Sequence, residues 1–145
     1  MAAYQPTIEQ VALITRARTR DPVGNEGTYN ATTRPTATDV EAIIDLVTAR
    51  VTAEIGSTIP DAIAAEARAT ILLGTAAWIE RSFFPEQNDG PDSQASSWEQ
   101  GFRDAMAVLA KSAAAYRASA SRGGGLGLGS MRVKGGTAAS QATAP

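Results

Sequence analysis

The stretch Asp61 to Phe84, DAIAAEARATILLGTAAWIERSFF, is the longest unbroken apolar-rich segment of the chain. Its interior, Ala69 to Ile79, carries no charge. At helical spacing Ile63, Ala67, Ile71 and Trp78 form one stripe, and Leu72, Ala76, Ile79 and Phe83 form another. A helix that is apolar on most sides is one wrapped by neighbours. A membrane span needs about 20 apolar residues, whereas Glu66 and Arg68 stand just before this run and Glu80 and Arg81 close it. The segment therefore reads as a buried core helix, with no membrane involved. Pro85 disfavours helix at the residue before it, which ends the helix near Phe84. Gly74 costs about 1 kcal/mol against alanine in a helix interior, so another helix is expected to approach closely there.

The other segments read as the cover for this helix. Thr7 and Gln10 make a capping box, followed by Ile8, Val11, Ala12 and Thr15 with Leu13 and Ile14 beside them. Arg16, Arg18 and Arg20 then follow. Arg16 and Arg18 suit a helix C-terminus, or an anion or nucleic-acid contact. Residues Asp21 to Thr36 form a long Pro-, Gly- and Thr-rich loop, compatible with a short hairpin over VGNEGTYN. Thr38 as N-cap with Glu41 opens a second helix. Its face is Val40, Ile43, Ile44, Val47, Val51 and Ile55, and Gly56 stops it. The short Ser57–Pro60 turn makes this helix and the central one an antiparallel hairpin. After a polar loop from Pro85 to Ser96, a last helix starts near Ser96 or Ser97. It carries Trp98, Phe102, Ala105, Met106, Leu109, Ala113 and Tyr116 on one face and runs to about Ser119. Its final two turns are alanine-rich and are expected to project from the core. The fold class is all-α: a small helical bundle of one short N-terminal and three longer helices, with an extended loop and a C-terminal arm. Residues 1–120 form the helical domain and 121–145 the Gly-rich arm.

Composition removes several classes of chemistry. Hydrophobic content is 43% but only 6% is aromatic, so the core is thin, and a thin core on long helices draws stability from neighbours. The chain has no cysteine and no histidine, which excludes disulfides, thiolate nucleophiles, Cys/His metal sites and an imidazole base. Glu66 and Glu80 lie fourteen residues apart, roughly 21 Å along a helix, too far for one acid/base pair. Asn88, Asp89, Asp92 and Glu99 miss the spacing of a calcium loop. No catalytic residue, cofactor or metal is expected. No cationic start precedes an apolar run, so no signal peptide is expected, and the Asn30 sequon reads as a chance match.

Charge is unevenly placed. The 13 basic and 15 acidic residues give a net −2. From Arg117 onward there are four cations and no acid, which leaves the preceding part at −6. The two ends of the chain should therefore meet different neighbours. The arm from Arg122 to Pro145 cannot bury enough to fold alone, and its glycines match no phosphate loop. Leu126, Leu128, Met131 and Val133 stand among Arg122, Arg132 and Lys134. They make the arm either a plain tail or an adhesive segment that orders on a partner.

In order, the chain offers a short helix ending Arg16-Ala17-Arg18-Thr19 and a loop closing on Thr33-Arg34-Pro35-Thr36. A helix opening Asp39-Val40-Glu41-Ala42-Ile43-Ile44 follows, then an alanine-rich helix ending Trp78-Ile79-Glu80-Arg81-Ser82-Phe83-Phe84-Pro85-Glu86. Over roughly residues 5 to 118 this succession resembles the head-to-tail adaptor (connector) proteins of tailed bacteriophages. The resemblance implies a structural virion protein at the head–tail junction, assembled in the host cytoplasm. It would be a homo-oligomer, usually a dodecameric ring, between the portal protein and a stopper or tail-completion protein. Double-stranded DNA would pass through its lumen without sequence-specific binding. Arg122, Leu126, Leu128, Met131, Arg132, Val133 and Lys134 would then be portal or subunit contacts, by position along the chain. Tyr29, Arg34, Phe84 and Pro85 would lie on neighbour-contact loops.

Two other classes compete. A helical DNA-binding or regulatory module wants a basic recognition helix, but Arg103 and Lys111 of the last helix are balanced by Glu99 and Asp104. A small secreted helical protein of actinobacterial type would carry a Trp-x-Gly turn, where this chain has Trp98-Glu99-Gln100-Gly101.

Overall fold

Small side chains decide how the helices meet. A computed structural model describes residues 2–19, 27–88 and 90–123. Four α-helices are present among them, α1 (Ile8–Ile14), α2 (Ala37–Ile55), α3 (Asp61–Phe83) and α4 (Gln94–Gly123), with single 3-10 turns at Arg16–Arg18 and Pro85–Gln87. No strand occurs among the described residues, so the part of the hairpin reading that falls on Gly27–Asn30 is not realised, and residues 20–26 lie outside the description. The chain is an all-helical bundle, with α3 at its centre. α3 packs most extensively on α4, then on α2, and also touches α1.

α3 is wrapped because alanine, glycine and threonine let its neighbours come close. Ala67, Gly74, Thr75, Ala76 and Ala77 are buried along it with Ile63, Ile71 and Ile79. It is apolar and long enough to pass for a membrane span, at a mean hydropathy of 1.3, yet more than half of that window is buried in the bundle. Its buried Thr70 and Thr75 stay helical because each hydroxyl donates to the carbonyl four residues back, on Glu66 and Ile71. Trp78 departs from the expected buried stripe and is 42% exposed. The i, i+7 spacing from Ile71 keeps it on the same face, but its indole lines a groove between α2, α3 and α4 instead of the core.

α2 begins two residues earlier than Thr38 and Glu41 suggest. Thr36 is the N-cap, its hydroxyl accepts from the Asp39 N–H, and the Asp39 carboxylate accepts in return from the Thr36 N–H. Aspartate closes this box where Glu or Gln is the usual partner. At the other end Gly56 adopts φ 102°, a left-handed backbone that only glycine takes without strain. The Arg117 guanidinium donates to the Ile55 carbonyl beside it. This satisfies an orphan helix-end acceptor with a cation of the sign the dipole favours. The far end of α4 is thus exposed from Ala114 onward, as expected, but Arg117 pins it to the α2 terminus.

α4 starts earlier and ends later than the sequence pattern suggests. Ser93 Oγ accepts from the Ser96 N–H at 3.2 Å and Asn88 Oδ1 accepts from the Ala95 N–H at 3.0 Å, so the first turn is capped from the preceding loop. The helix then continues through alanines and serines to Gly123.

Gly74 is the tightest crossing. A Cβ built there would lie 2.7 Å from Val47 Cγ1 and 2.8 Å from Phe102 Cε2. Phe102 is half-buried, whereas Val47 is buried, β-branched and held in one helical rotamer. Gly74→Ala should destabilise by about 1 kcal/mol net, overpacking of about 1–3 kcal/mol exceeding a propensity gain of about 1 kcal/mol. In a Val47→Ala background the same change should become neutral or stabilising. Urea denaturation of the four chains measures this coupling. Gly74→Ala stabilising the native background would mean that close approach is not what the glycine provides.

Candidate docking surface

Two places gather polar and aromatic groups, and the first of them is a structural hub. The Thr15 N–H bonds back to the Val11 carbonyl and the chain tightens into the 3-10 turn that aims Arg18 at the end of α3. Arg18 donates from Nε and Nη2 to the two carboxylate oxygens of Glu80, at 2.9 and 2.6 Å, and from Nη1 to Gln87. Its guanidinium lies 3.8 Å over the Phe84 ring. Glu80 is only 2% exposed. Asn88 donates to the carbonyls of Phe84 and Glu80 while its own carbonyl caps α4. The hydrogen bonds to Glu80 raise the Arg18 pKa further above its already high ordinary value. Arg18 is therefore neither a helix cap nor an exposed anion contact; it neutralises a buried carboxylate. Arg16 is exposed.

The second place is a groove of about 550 Å³ between α2, α3 and α4. Gly74 and Ala77 make its floor, and Leu46, Trp78 and Phe102 its apolar walls. Arg50, Arg81 and Arg103 line it as well. Arg81 is paired with Glu99 at 2.6 Å, and Arg50 sits over the Phe102 ring at 5.5 Å. Arg103 donates to Gln100. Among the described residues Arg50 and Arg103 have no carboxylate partner. The absence of charge between Ala69 and Ile79 had pointed only to burial. The groove becomes visible only when Gly74 is seen to bring Val47 and Phe102 against α3.

The expected contact residues divide. Arg34 and Pro85 face outward, and Arg122 is exposed near the end of α4. Phe84 is half-buried beneath Arg18. Tyr29 is a correction: it is 3% exposed, with its hydroxyl 2.6 Å from that of Thr15. A phenol needs a partner when buried, and Thr15 supplies it by turning the loop back onto α1. Leu126, Leu128, Met131, Arg132, Val133 and Lys134 lie outside the described residues. Asn30, the sequon residue, folds its own loop, its side-chain carbonyl accepting from the Thr32 and Thr33 N–H groups. Comparison of the chain with protein-family models, curated proteins and solved structures finds no match.

Two measurements probe the hub. Arg18→Ala strands the Glu80 carboxylate and should cost about 3–5 kcal/mol in chemical denaturation, whereas Arg18→Met with Glu80→Leu should recover most of that loss. Equal losses in both chains would remove the charge argument. Burial, opposed by the Thr15 hydrogen bond, raises the Tyr29 pKa. A raised folded-state value means the native chain holds its proton more tightly. The stabilisation is therefore complete below about pH 10 and lost as pH rises through the folded value. Tyr29→Phe should cost about 1 kcal/mol at neutral pH and lose stability less steeply than the native chain above about pH 10. Parallel alkaline slopes would contradict this.

Proposed function

We propose that this chain is a structural, non-catalytic subunit of the head-to-tail junction of a tailed bacteriophage. It forms a ring, of twelve copies by the family's habit, between the portal and a stopper or tail-completion protein. Double-stranded DNA passes through the lumen. The observation that carries the reading is the succession of segments from the first helix to the Trp78–Glu86 terminus, laid out above as resembling this adaptor family. The all-helical bundle supports it, because that is the fold the resemblance implies. So do the large apolar side chains left at the surface, among them Leu13, Leu46, Trp78 and Val108, which a ring subunit buries against neighbours. The charge balance is also compatible. A channel for DNA must not hold phosphates tightly, since each neutralised phosphate adds salt-dependent affinity, and the part before Arg117 carries −6.

Native mass spectrometry of the purified chain, with co-sedimentation on portal-bearing particles, tests the reading. The expected result is a closed oligomer, free or particle-bound, and loss of particle binding when residues 122–145 are deleted. A strict monomer that never associates with particles overturns the ring. Unchanged binding after the deletion removes the arm from the contact.

A further inference from the structure

We infer that the α2–α3–α4 groove receives the acidic α1–α2 edge of the next copy of this chain, making one repeated head-to-tail contact. The inference rests on the ring reading and names the surfaces that would close it. The two recesses that border α2 differ in charge. Arg50 lines the groove with Leu46. Glu41 and Asp45 line a separate recess with Glu9 and Ile8 of α1. Glu41 and Arg50 are nine positions apart on one helix, about two and a half turns, so their side chains leave α2 on opposite sides.

Each side has what the other lacks. The groove has apolar walls and two arginines, Arg50 and Arg103, without carboxylate partners among the described residues. It is a cationic island on a body of net −6. The edge has three carboxylates and no cation lining its recess. Among the described residues Asp45 accepts only a neutral hydrogen bond, from Gln5 at 2.6 Å. One turn beyond Glu9 stands Leu13, which at 61% is the most exposed large apolar side chain among the described residues. Leu13 lies in a recess with both Glu9 and Arg16, so the edge offers the apolar knob from Leu13 and the charge that meets the groove's arginines from Glu41 and Asp45. The two patches differ and lie on opposite flanks, so the pairing is heterologous. Repeated, such a contact closes into a ring when its rotation divides the circle, whereas a self-complementary patch would stop at a dimer.

Charge exchange tests this on the full chain. All four residues are exposed, and circular dichroism confirms the fold of each variant. Arg50→Glu with Arg103→Glu sets acid against acid across the contact. Glu41→Arg with Asp45→Arg sets base against base. Each pair should raise the half-assembly concentration at least about tenfold. An equimolar mixture of the two should assemble again, with an even number of subunits, because every contact in an alternating ring is then complementary. Both variants assembling as the native chain does would overturn this docking while leaving the ring intact. So would self-assembly that is unaffected while particle binding is lost, because the groove would then hold the portal. A native chain that never assembles, alone or on particles, would overturn the ring and this contact together.

Discussion

The ion pair between Arg18 and Glu80 is the contact on which the arrangement of the elements depends. A carboxylate inside a helical bundle is tolerated only when its charge and lone pairs are met. Here one guanidinium meets both oxygens and lies over Phe84 as it does so. The consequence reaches through the chain. The 3-10 turn after α1 is held at the C-terminal end of α3, while Gln87 and Asn88 tie the following loop to the same point. Asn88 passes the constraint to the first turn of α4. Two connections that are far apart in sequence, the turn after α1 and the α3–α4 loop, are thus fixed at one end of the central helix.

At the middle of α3 the constraint is steric. Gly74 removes the side chain that would separate α2 from α4, and alanines extend the close packing. Close approach of small residues buries little area per residue, so the large apolar groups at the margin are not all covered. Trp78 and Leu46 remain on the groove, and Val108 lies on the outer face of α4. The thin core and the uncovered groove are therefore two results of the same residue choice. Both suit a subunit whose apolar surface is completed by neighbours.

Much of this was legible in the sequence, for identifiable reasons. The apolar periodicity of α2, the Thr7–Gln10 box and the Gly56 stop are local signals, and they hold. The uncharged run with Gly74 inside it pointed correctly to a wrapped helix with a close crossing. What failed depended on partners distant in the chain. Trp78 followed the buried stripe by spacing, but no pattern along one helix tells where its neighbours leave a groove uncovered. Thr36 and Asp39 made the capping box in place of Thr38 and Glu41, because two overlapping cap signals differ only in which reciprocal bonds form. Tyr29 stood among the expected neighbour-contact loop residues, and its burial depends on Thr15, fourteen positions earlier. In the sequence Arg18 is a cation near a helix end and Glu80 a carboxylate near the core. Their pairing across sixty-two positions was not legible without the fold.

One buried pair and one glycine build a bundle with an arginine-lined apolar groove and an acidic recess bordering α2. In the proposed ring this bundle is the repeating unit. The most direct measurement is electron imaging of the portal vertex of assembled particles, with a density label fused to this chain. The account predicts label density in a closed, rotationally symmetric ring, coaxial with the portal and open at its centre. A single labelled copy, or label density away from the vertex, would contradict it.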